Sequence, residues 1–149
     1  KSLSDAVKVG IKPGIFSARY IIRRSLLCNY HLYNERMIMN LSKKKCVPCE
    51  GGTYPLSNEK EDEYMKFIKK WDLDKSEDVH KIRKKFKFKD FKQSMLFVNK
   101  VADIAEEEQH HPVIHINYNR VNITLFTHAI GGLSENDFII AANIDKIQS

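Results

Sequence analysis

A chain of 149 residues, 42% hydrophobic and 10% aromatic, has the means to bury one core and little room for a second, and no apolar run approaches the ~20 residues that span a bilayer, so no membrane partner is expected. The formal charge of +6 suggests a nucleic-acid binder until it is divided along the chain. Residues 1–45 hold ten Lys/Arg and two acids, whereas the remaining 104 residues hold 15 Lys/Arg and 17 Asp/Glu; a body without basic excess lacks the general footprint of a DNA or RNA binder, and no nucleic-acid partner is expected.

Residues 1–45 therefore form a basic N-terminal extension. From Lys8 to Asn34 it contains Arg19, Arg23 and Arg24 with no acid, interleaved with Ile15, Phe16, Ile21, Ile22, Leu26 and Leu27. That is the pattern of an organelle transit peptide, or of an ordinary basic extension, and the residues alone leave both open. The turn-rich passage Cys46-Val-Pro-Cys-Glu-Gly-Gly-Thr-Tyr-Pro55 opens the body, residues 46–149. Cys46-x-x-Cys49 lacks the second ligand pair of a structural zinc site and the strand-to-helix setting of a redox motif, which predicts free thiols in a loop.

Ser57 is placed to cap a helix to about Lys70, and Trp71–Lys75 and His80–Phe88 read as strands, with Ile82, Phe86 and Phe88 at even spacing. Asp90 opens a longer helix on which Phe91, Met95, Val98, Ala102 and Ala105 share a face widened by Phe97, Val101 and Ile104. Pro112 stops it near His110 and His111. Val113–Tyr118 and Val121–Thr127 read as strands, Gly131-Gly132 breaks the chain, and Ser134-x-x-Asp137 resembles a capping box for a last helix through Ile147. The order α-β-β-α-β-β-α predicts an α+β fold: a four-stranded antiparallel sheet with helices packed on one face.

With Asn119 and Arg120 at the centre of a tight turn, Ile116 faces Ile123, Ile114 faces Leu125, and on the other face His111 faces His128, with His110 beside them. Three of six histidines then converge at the open end of one hairpin. A zinc site needs completing ligands that this face does not supply, so no metal is expected. Imidazole exchanges protons near neutrality, which points to acid–base chemistry. Glu106, Glu107 and Glu108 end the helix before it, and a glutamate one turn before His110 is placed to orient it. His80 reads as a strand surface residue and Asp137 as a helix cap.

Glu106-x-x-x-His110-His111-Pro112, Tyr118, Val121-x-Ile123-x-Leu125-x-Thr127-His128 and Gly132-Leu133-Ser134-x-x-Asp137 together resemble the signature of the pterin-4a-carbinolamine dehydratases. Phe86-Lys-Phe88-Lys-Asp90-Phe91 is also similar, and the resemblance covers about residues 57–148. The Cys-x-x-Cys-Glu-Gly-Gly passage and the basic leader look like the plant, bacterial and protist branch. The resemblance implies a hydro-lyase that converts 4a-hydroxytetrahydropterin to quinonoid dihydropterin and water in tetrahydropterin recycling, without cofactor. It implies His110, His111 and His128 as catalytic residues, Glu106 and Asp137 as acidic positions beside them, and Pro112, Thr127 and the backbone at Ala129 as pterin contacts. It also implies a homodimer or homotetramer. The odd, low count of three cysteines, Cys28, Cys46 and Cys49, fits a reducing compartment, cytoplasmic, or organellar if the leader is a transit peptide. Val113 and Ile114 depart from the acid and Trp that some members carry there. A second class of function, a non-catalytic dimerisation partner and transcriptional coactivator of the same fold, is implied by animal members; the intact histidine trio argues for the enzyme.

Overall fold

The computed structural model describes residues 41–48 and 54–148. The expectations for the leader ahead of Leu41, and for Cys49, fall outside the described residues.

Ser57 precedes α1 (Asn58–Met65), which is shorter than its apolar spacing predicts. The backbone beyond it is claimed by other partners: Lys69 N–H donates to Asp145 Oδ2 at 2.8 Å and Lys69 C=O accepts from Lys84 Nζ at 2.8 Å. Lys70 then takes φ 58, and Phe67, Ile68 and Trp71 turn into the core. Strands β1 (Asp72–Asp74) and β2 (Lys81–Lys87) follow.

Asp90 caps α2 (Phe91–Glu108) by accepting from Gln93 N–H at 2.8 Å. The helix ends at Gln109, whose φ of 51 is the left-handed geometry of a C-cap. Its buried stripe is Ser94, Phe97, Val101 and Ala105. The expected face is thus rotated, leaving Phe91 49% exposed, because Phe97 packs between Phe86 and Phe88 at centroid distances of 4.7 and 5.0 Å.

β3 (Val113–Asn117) and β4 (Arg120–Leu125) form the hairpin, and a three-residue 3₁₀ turn (His128–Ile130) leads to α3 (Glu135–Lys146). All strand pairs are antiparallel, in the order β1-β2-β4-β3. One sheet face, with Ile82, Phe86, Val121, Ile123 and Leu125, is buried with Phe97 and Val101 of α2 and with α3. α3 is buried nearly all round, through Phe138, Ile139, Ile140, Ala141, Ala142 and Ile144, as a helix apolar on most sides must be. Described residues Leu41–Pro48 lie on the same body: Leu41 is 3% exposed, and Lys44 pairs with Glu135.

The hairpin register differs from the expected one. Tyr118 and Asn119 are the turn residues, so Ile116 pairs with Val121, Ile114 with Ile123 and His115 with Asn122. Tyr118 takes φ 50, and Asn119 is bound to the end of β2, its C=O accepting from Phe88 N–H at 2.8 Å and its Nδ2 donating to Phe88 C=O at 2.9 Å. The pairing is displaced by two residues, one strand period, so every side chain keeps its expected face while changing its partner. His111 and His128 are therefore not a cross-strand pair; both lie outside the strands.

Candidate active site

Four segment ends meet around one cavity of about 550 Å³, within the range of small-molecule sites. The C-terminus of α2 delivers His110 and His111, the end of β4 delivers Phe126 and Thr127, the 3₁₀ turn delivers His128 and Ala129, and the segment Lys45–Pro48 forms a further wall. The convergence expected of the three histidines is met by a helix end and a turn rather than by strand pairing.

The three imidazoles have different surroundings. His110 is nearly buried, with a side chain 11% exposed, and its Nε2 lies 2.7 Å from Oδ1 of the fully buried Asp137. A carboxylate only accepts, so Nε2 carries the hydrogen and Nδ1 is the nitrogen left for other partners. His111 is 57% exposed and its Nε2 lies 2.9 Å from Glu106 Oε1, which is itself exposed. Glu106 thus orients His111, not His110 as the one-turn spacing suggested. His128 is exposed and packs its ring on Phe126 at a centroid distance of 4.1 Å. Pro112 and Glu106 do not line the cavity, and Asp137 reaches it through its partners His110 and Thr127.

Asp137 is at once a helix cap and a partner of His110. Its Oδ2 accepts from Ser134 N–H and from the Thr127 hydroxyl, both at 2.8 Å, completing the capping box of α3. Oδ1 remains for His110. The helix N-terminus adds favourable dipoles to this buried negative group.

The wall from Lys45 to Pro48 was not foreseen. Glu108 accepts from Cys46 N–H at 2.7 Å and from Lys45 Nζ at 2.9 Å. Partial burial opposes the charge of Glu108, but these donors outweigh it and hold its carboxyl below the ordinary range. Asn136 accepts from Val47 N–H at 3.2 Å and donates to Val47 C=O at 2.7 Å, as a neighbouring strand would. No sequence period marks an asparagine that pairs with backbone; Glu108 was visible only as one of three acids. Among the described residues, no group of three His, Cys, Asp or Glu side chains is placed to hold a metal ion.

Residues 54–147 match the family model described as pterin 4 alpha carbinolamine dehydratase. The chain belongs to this family of hydro-lyases. A protein of Nitrosospira multiformis named "Putative pterin-4-alpha-carbinolamine dehydratase" is 49% identical over 111 residues, 74% of this chain and 94% of its own. A protein of the same name from Rubrobacter xylanophilus is 41% identical over 107 residues, 72% of this chain and 97% of its own. The crystal structure of a Brucella melitensis protein described as a transcriptional coactivator/pterin dehydratase superposes with a TM-score of 0.60 at 32% identity, covering 64% of this chain and 99% of its own.

Replacing Asp137 with Asn should destabilise the fold by about 1.5–3 kcal/mol, the worth of hydrogen bonds to a charged group. An amide cannot accept from Ser134, Thr127 and His110 at once. Urea unfolding measures this, and a change below about 0.5 kcal/mol, the level of an ordinary surface substitution, would contradict the dual role.

Proposed function

We propose that the chain dehydrates 4a-hydroxytetrahydropterin to quinonoid dihydropterin and water by histidine acid–base catalysis, and so serves tetrahydropterin recycling. The reaction needs one group to protonate the departing 4a-hydroxyl and another to take the N5 proton. The observation that carries the reading is the pairing of His110 Nε2 with the buried Asp137 at the edge of a cavity shared by His111 and His128. Asp137 fixes the ring and tautomer of His110, leaving Nδ1 to exchange a proton. His128 is the second member of the acid–base pair. Its ring rests on Phe126 and has no hydrogen-bond partner among the described residues, so it is available to substrate. His111, steadied by Glu106 at the rim, assists. Thr127 and Ala129 line the cavity and in this reading contact the pterin there, with Pro112 setting the path of the chain beside them. A module that only binds another protein has no need of a buried carboxylate–imidazole pair beside a cavity.

In this reading the working form is a homodimer or homotetramer. Its support is exposed apolar surface: Val113, Ile116 and Tyr118 along the edge strand β3 and its turn, and Phe91 and Leu96 on α2. Edge strands with apolar side chains favour pairing.

Replacing His110, His111 or His128 singly by Ala should lower turnover of 4a-hydroxytetrahydropterin roughly 10²–10⁴-fold where the residue transfers a proton. Double replacements should cost less than the product of the singles, as for groups acting together. Turnover should survive chelators. Full activity of the His110→Ala, His128→Ala double variant, well above the uncatalysed rate, would overturn the assignment.

Light scattering on dilute protein should give the mass of a dimer or tetramer. A monomer would remove the oligomeric part of the proposal.

A further inference from the structure

The sheet face turned away from the helices holds a second depression, of about 390 Å³. Its floor follows from the register. Lys85, Asn122 and His115 are successive cross-strand partners, and Lys87, Arg120 and Asn117 form the next row. These six side chains share the outer face. Opposed residues lie about 4.5–5.5 Å apart at Cβ, and the two rows are about 6.6–6.8 Å apart along the strands.

The charge there is one-sided. β2, β3 and β4 contain no acid at all, although the body as a whole is rich in Asp and Glu. Lys81 and Arg83, farther along β2, are answered by Glu77 and Asp74, each at 2.6 Å. Among the described residues Lys85, Lys87 and Arg120 have no carboxylate partner. Lys87 stands directly opposite Arg120, an arrangement of like charges that weakens a sheet. Folding alone gains nothing from it; an anion between the two would convert repulsion into attraction.

We propose that this face binds a small ligand bearing a phosphate or diphosphate group. The Arg120 guanidinium offers a fork matched to phosphate oxygens, Lys85 and Lys87 add charge, and the Asn117 and Asn122 amides and His115 supply further donors. A small ligand fits better than a nucleic acid strand, because the floor presents no aromatic ring on which a base could stack: Phe86, which borders it, is 2% exposed and directed to the core. The site lies toward the β3–β4 turn, whereas the histidines flank the opposite end of the same strands, so it is independent of the proposed dehydration.

Calorimetric titration of the full chain with inorganic pyrophosphate at fixed ionic strength tests it. Saturable binding with one site per chain is expected. The Lys87→Gln, Arg120→Gln variant should bind at least tenfold more weakly, and Lys85→Gln should weaken binding independently. The Lys92→Gln, Lys100→Gln variant, which removes the same charge from exposed positions of α2, should change it less than twofold. Because the paired substitution removes a repulsion, its melting temperature without ligand should not fall. Non-saturable binding, or equal weakening in the α2 control, would overturn the proposal. So would tight binding of a 12-nucleotide strand without saturable binding of pyrophosphate, which would assign the face to a polymer backbone.

Discussion

The carboxylate of Asp137 is the point on which fold and site both turn. A fully buried carboxylate costs several kcal/mol unless it is paired and hydrogen-bonded, and here its two oxygens are divided between two tasks. Oδ2 takes the Ser134 N–H and the Thr127 hydroxyl, which starts α3 and ties it to the end of β4. Oδ1 takes His110, which ties α3 to the end of α2. Because α3 supplies much of the core, the orientation of His110 is as rigid as the packing of the protein. The imidazole is set by a rigid element, not by a loop.

The remaining charges are sorted rather than mixed. Acids at the end of α2 hold the segment before residue 49 against the cavity, through Glu107 and Glu108 to Lys45 and through Glu108 to Cys46 N–H. Deeper in the body, Lys84 is paired with Asp145, which also accepts from Trp71 Nε1 at 3.0 Å; this closes the turn between α1 and β1. Toward the β3–β4 turn, the outer face of the sheet carries Lys85, Lys87 and Arg120 with no acid among its strand residues. A near-neutral body can thus carry a strongly basic patch, and the net charge that argued against general nucleic-acid binding was silent about this local asymmetry.

Much of the architecture could be read from residue pattern because the signals were local. Asp90, the Pro112 stop and the Ser134-x-x-Asp137 box each act within a few residues of their place in the chain, and each stands where expected. The hairpin faces were legible for the same reason, since a period of two assigns them whatever the partner. The register was not, because it depends on Asn119 binding Phe88, a contact between distant parts of the chain. The stripe of α2 likewise depended on where Phe86 and Phe88 stand. At the site, the motif named His110, His111 and His128 and placed the acids Glu106 and Asp137 beside them, but not which acid takes which ring: His110 takes Asp137 across 27 residues and His111 takes Glu106. The wall built on Asn136 left no trace in the pattern, since one amide bridging one peptide has no period.

Asp137 accepts from His110 Nε2, and the proposed proton exchange at Nδ1 requires that this tautomer be held. Long-range ¹H–¹⁵N correlation spectra of the ¹⁵N-histidine-labelled protein, at a pH where the ring is neutral, read this directly. A single Nε2–H tautomer is expected for His110, lost as a fixed state in the Asp137→Asn variant, while His128 shows the tautomer mixture of an unrestrained ring. A His110 ring carrying its hydrogen on Nδ1, or one whose tautomer is unchanged by Asp137→Asn, would contradict it.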